Sequence, residues 1–101
     1  MSNQRAAINN LGSQFALGCA ASTALTPVAG TTPAHATINV NSQGVRYTTD
    51  GTAPTATKGI HVGAGGQIAF MDSGFDYRGL IQQLRIIQEA ATATLDVLFY
   101  D

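Results

Sequence analysis

Residues 35–40, HATINV, alternate strictly. Ala36, Ile38 and Val40 fall on one side of an extended chain, and His35, Thr37 and Asn39 on the other. Period-two alternation of this kind marks a strand buried on one face only. It returns at the end of the chain, where Leu95, Val97 and Phe99 of TATLDVLFY point one way and Thr94, Asp96, Leu98 and Tyr100 the other. Between these runs lie short apolar pieces separated by turn residues, and no segment carries a convincing helical period. A chain patterned in this way is expected to be all-β, a small antiparallel β-sandwich or barrel.

The turns suggest how the strands connect. NSQG, residues 41–44, predicts a hairpin joining 35–40 to a second strand through Val45, Tyr47 and Thr49. Ile60 and Val62 face Ile68 and Phe70 across a glycine-rich turn, GAGGQ, also read as a hairpin. MDSGFDYRG, residues 71–79, reads as a long loop, and LRIIQEA and TATLDVLFY as a second clear hairpin about Ala90–Thr92. Residues 1–14 are polar with apolar beads at Ala7, Ile8 and Leu11, so an extended N-terminal arm is expected there, followed by one domain over 15–101. In the last hairpin Ile87, Leu98 and Tyr100 oppose the core-facing set, leaving both faces partly apolar. Two arrangements fit: a strand covered on both sides within the domain, or a subunit interface.

Charge narrows the partners. Only 11% of the 101 residues are charged, and the net charge is −1. Arg5, Arg46, Lys58, Arg78 and Arg85 are scattered, with no basic stripe to follow phosphates, so nucleic acid is not expected. No stretch approaches the ~20 apolar residues of a membrane span. The single Cys19 excludes an internal disulfide and a cysteine-cluster metal site. FALGCAAS resembles the end of a lipoprotein signal, but Asn9, Asn10, Ser13 and Gln14 interrupt the apolar run such a signal needs. Low charge with abundant Ala, Thr and Gly suits a protein covered by other subunits.

Catalytic patterns are missing from the text. His35 and His61 stand in strand-like stretches beside Thr or Gly, outside any nucleophile motif. Asp72 and Asp76 share a loop, yet supply too few oxygens for a calcium loop. Glu89 and Asp96 read as charges on a hairpin face, and GAGG lacks the Lys and helix of a phosphate loop. Neither an enzyme nor a cofactor or metal is expected.

The most distinctive phrase is VRYTTDGTAPTATKG, residues 45–59. Asp50 can accept hydrogen bonds from the N–H groups just downstream, Gly51 tolerates positive φ, and Pro54 stiffens the exit. Tyr47, Asp50, Gly51 and Pro54 therefore read as a self-supporting structural corner. Over residues 45–60 the phrase resembles the corner of a small β-module appended to chitobiase-like and other carbohydrate-active enzymes. Over residues 22–101, in order and spacing, the chain resembles short virion proteins of tailed bacteriophages, in which a strand like HATINV, this corner, a Gly-rich turn and a closing strand like TATLDVLFY follow one another.

The second resemblance implies a non-enzymatic structural role. The protein is then expected to be a capsid decoration (cement) protein on the virion surface, bound as a trimer or dimer to the major capsid protein. A tail or head–tail connector component is the alternative within that resemblance. Subunit or capsid contacts are then expected from Ile8 and Leu11 in the arm, Phe75 and Tyr77 in the long loop, and Ile87, Leu98 and Tyr100 on the last hairpin. The first resemblance implies a carbohydrate- or host-surface-binding module, with Tyr47, Phe75 and Tyr77 as the available aromatic platform.

Overall fold

A computed structural model describes residues 9–72 and 74–101. The alternating runs become strands of two antiparallel sheets packed around one core, a small all-β sandwich. β1 (Asn10–Gly18), β7 (Thr94–Tyr100), β2 (His35–Asn41) and β5 (Gln67–Phe70) form a four-stranded sheet in that order. β4 (Ile60–Val62), β3 (Val45–Thr48) and β6 (Arg85–Gln88) form the second. Ala36, Ile38, Val40, Leu95, Val97 and Phe99 point inward from the first sheet, and Val45 and Ile86 from the second; all are 0–1% exposed. Burying each large apolar side chain contributes about 1.5–3 kcal/mol.

The expected hairpins are replaced by crossings. β2 pairs with β5 and β7, while β3 pairs with β4 and β6, so the Asn41–Gly44 turn carries the chain from one sheet to the other. The turn is tight: Gln43 N donates to Asn41 O at 2.9 Å, and Ser42 sits at φ 73. The Gly63–Gly66 turn crosses back to the first sheet, and the 89–93 connection takes β6 to β7 across the same gap. Alternation dictates which face of a strand is buried, but not which neighbour supplies its hydrogen bonds. Val40 and Val45 would both point inward in either arrangement. Among the described strands, only β3 and β4 are consecutive in the chain and directly paired.

The expected arm is also revised. Its predicted end at residue 14 falls inside β1, which pairs along β7 from Asn10↔Tyr100 to Gly18↔Thr94. Register shifts between Asn10 and Gly12 and between Gln14 and Leu17 break the alternation, which is why the strand does not show in the sequence. Gly12 has φ 124, a conformation that strains any residue with a Cβ, and a Cβ there would lie 2.6 Å from Val28 Cγ2, so Val28 would have to move. Residues 1–8, including Ile8, lie outside the described residues. Cys19, at the end of β1, is fully buried, and burial raises its thiol pKa.

The loop expected over 71–79 ends in a short helix, α1 (Arg78–Gln83), which buries Ile81. Six residues are too few to display a helical period. Asp76 Oδ1 accepts from Arg78 N at 3.0 Å, giving the first turn a partner.

Candidate interaction surfaces

The 45–59 corner holds itself together. Tyr47, half-buried in β3, packs against the core. Asp50 Oδ1 accepts from both Thr52 N (3.0 Å) and Thr52 Oγ1 (2.6 Å), and Gly51 adopts φ 85. These bonds, the Thr52 hydroxyl first and its N–H second, hold the Asp50 carboxyl below the usual range. Pro54 is buried, and Thr55 and Lys58 exchange backbone hydrogen bonds at 3.0 and 3.1 Å to close the loop before β4. The side chains that make this phrase distinctive are turned onto the loop itself.

The outer face of the three-stranded sheet is charged. Glu89 Oε2 accepts from Arg46 Nε at 2.7 Å and lies 2.8 Å from His61 Nδ1. His61 first, then Arg46, lowers the Glu89 pKa. Ile87 lies opposite Arg46 in the ladder, next to this cluster.

The outer face of the four-stranded sheet has the opposite character. Its cross-strand rows pair Thr37 with Leu98 and Ala69, and Asn39 with Asp96 and Gln67. Among the described residues its only carboxylate is Asp96, and both oxygens are bonded: Oδ2 accepts from Asn41 Nδ2 at 3.0 Å and Oδ1 from Ala16 N at 2.9 Å. Gln67 Nε2 donates to Asn39 Oδ1 at 3.0 Å. β1, Asn10–Gly18, which forms the adjoining edge, contains no Asp, Glu, Lys or Arg. Phe15 on that edge is 64% exposed. Structure therefore separates Leu98 and Tyr100, on this neutral face, from Ile87 on the charged one.

The remaining contact candidates divide as well. Leu11 and Tyr77 pack against the core. Tyr77 lies between Phe70 (ring centroids 5.6 Å) and Phe75 (6.3 Å), and only Phe75, 63% exposed, faces solvent freely. Asp72 Oδ1 accepts from Gly74 N, and Asp76 Oδ2 from Arg78 Nη1 at 2.8 Å, so both carboxylates serve the loop. Among the described residues no three His, Cys, Asp or Glu side chains gather as a metal site, and no helix is long and apolar enough to cross a membrane.

A groove of about 310 Å³ runs between Leu25–Pro33 and α1, lined by Leu25, Pro27, Val28 and Ile81. It lies at the lower limit of ligand pockets, and the Thr31 hydroxyl beside it is committed to Val28 O. Phe15 and the neutral face were missed by pattern reading, because edge bulges hide the first and cross-strand pairing creates the second. Comparison with family models, curated proteins and solved structures returns no match.

Proposed function

We propose that this chain is a non-enzymatic structural subunit of a tailed-phage virion, a decoration protein that binds the capsid through the outer face of its four-stranded sheet. The observation that carries the reading is the contrast between the two sheets. One outer face bears the Arg46–Glu89–His61 cluster. The other bears, among the described residues, a single carboxylate, bonded to Asn41 and Ala16. Depletion of charge is what distinguishes the core of a protein interface from ordinary surface. A face with its polar groups mutually bonded can be covered without stranding a buried charge. The uncharged β1 edge with Phe15 extends this surface.

Binding at many equivalent capsid sites, strengthened by homo-oligomerisation, allows each contact to be small. Co-sedimentation of the purified chain with empty heads of tailed phages tests the proposal. Saturation at a fixed copy number per head is the expected result, and no co-sedimentation contradicts it.

Exposed Phe75 beside Tyr77 supports a second reading, a small aromatic platform for sugars on a host surface. Retardation on a polysaccharide column, abolished by Phe75→Ala, is the result that reading requires.

A further inference from the structure

We propose that the chain pairs with a second copy of itself through the free edge of β5, the two strands running antiparallel about a two-fold axis so that their four-stranded sheets become one. This inference does not rest on the capsid reading. Among the described strands β5 has β2 as its only neighbour. Val40 N donates to Gly66 O at 2.9 Å, and Gly65 N donates to Val40 O at 2.8 Å, so the backbone groups of Val40 face the β5 side. Ile38 lies opposite Ile68 and Ala36 opposite Phe70, and alternation along the ladder therefore turns the backbone groups of Ile68 and Phe70 towards β2. The N–H and C=O groups of Gln67 and Ala69 point the other way, along the open edge.

An open edge is a template for another strand, and folded chains blunt it with bulges, charge, proline, shortness or a covering segment. The other edges among the described strands are blunted in these ways. β1 carries two register shifts against β7. β6 is covered by Thr23, which exchanges backbone hydrogen bonds with Ile86 at 2.9 and 3.0 Å, and by Cys19 O, which accepts from Gln88 N at 2.9 Å. β4 is three residues long and follows Lys58 closely. β5 has none of these devices. Residues 62–71, VGAGGQIAFM, contain no charged residue and no proline. The register of β5 on β2 runs without a break from Ala36↔Phe70 to Asn39↔Gln67.

The sequence of this edge selects a second copy as its partner. With Ile68 on the two-fold axis, Gln67 of each copy lies opposite Ala69 of the other, and each such pair exchanges both of its outward hydrogen bonds. Gln67 thus meets the smallest side chain of β5. Met71, 37% exposed, comes opposite Gly65 of the second copy, which has no side chain to obstruct it. No like charges face one another along the pair. On the same side of the sandwich the second sheet ends in β4, joined to β5 by the Gly63–Gly66 turn, and its Ile60 is 58% exposed, so apolar surface lies beside the paired edges. A two-fold contact is isologous and closes on itself, so pairing stops at the dimer. The axis stands perpendicular to the sheet, which leaves the neutral faces of both copies on one side.

The test is sedimentation velocity of the full chain from micromolar to millimolar concentration, with amide hydrogen exchange followed at Gln67 and Ala69. The expected result is a reversible dimer in which exchange of both amides slows as concentration rises. Ala69→Pro removes an outward donor from an exposed position of an edge strand, where proline is tolerated. It is expected to weaken association about tenfold or more, because the symmetry removes that hydrogen bond twice. Ala69→Lys sets like charges near the axis, is expected to cause a similar loss, and decides the matter should the proline variant fail to fold. A chain that stays monomeric to millimolar concentration overturns the proposal. So does an oligomer indifferent to both variants, or slow exchange of the Ala69 amide that does not change with concentration.

Discussion

The Asp96 carboxylate bridges two strands at once, accepting from Asn41 Nδ2 on β2 and from the backbone of Ala16 on β1. Ala16 lies where β1 slips register against β7, with φ 54, so its N–H meets a side chain in place of a ladder carbonyl. A left-handed non-glycine residue costs roughly 1–2 kcal/mol, and the Asp96 bond offsets part of that cost. One acidic residue thus anchors the edge strand and is itself satisfied on the neutral face.

Asp96→Ala is expected to lower stability by about 1 kcal/mol or more, since it removes two hydrogen bonds to a charged acceptor that is only partly screened. The urea midpoint should fall and amide exchange at Ala16 should accelerate. An unchanged midpoint would show that the β1 bulge needs no side-chain anchor.

Asp50→Ala is expected to lower Tm by a few degrees without affecting capsid binding, because Asp50 bonds only within its own corner. Its carboxyl titrates below the ordinary range in the folded chain. Its contribution is therefore present above the unfolded carboxylate value, near pH 4, and lost as pH falls through the lower folded value. Comparing the thermal stability of wild type and Asp50→Asn through mild acid should show the difference closing in that direction. Lost capsid binding with unchanged Tm would instead make the corner a contact.

Truncation separates arm from fold. A free arm over 1–14 would predict that its removal spares the domain, but the pairing of β1 reverses that expectation. Deleting 1–14 removes Leu11 from the core margin and strips β7 of its partner from Asn10 to Gln14. The expected outcome is a marked loss of thermal stability, and aggregation through the newly exposed edge of β7. A fully stable product would show that this half of β1 contributes little.

These particulars mark how far the fold could be read from the text. The inward sets of β2 and β7 were legible residue by residue, because each strand alternates cleanly and one face is buried. Strand partners were not: Val40 and Val45 point inward whether the intervening turn makes a hairpin or a crossing. β1 was invisible because its bulges interrupt the period, and α1 because it is one and a half turns long. The corner around Asp50 was legible, since its bonds are local in sequence. The neutral face was not, because it arises where Thr37 and Asn39 meet Leu98 and Asp96 from the far end of the chain.

The most direct measurement of the central claim is co-sedimentation of wild type and Leu98→Lys with empty heads of tailed phages. Leu98 is half-buried at the middle of the neutral face, and a lysine there can lay its aliphatic stem along the face and keep its charge at the surface, so urea midpoints are used to confirm that both proteins are folded. Covering the face would then bury an unpaired charge. The account predicts saturable binding of wild type at a fixed copy number per head and at least a tenfold loss of affinity for Leu98→Lys. Equal binding by the two proteins, or binding by neither, would contradict it.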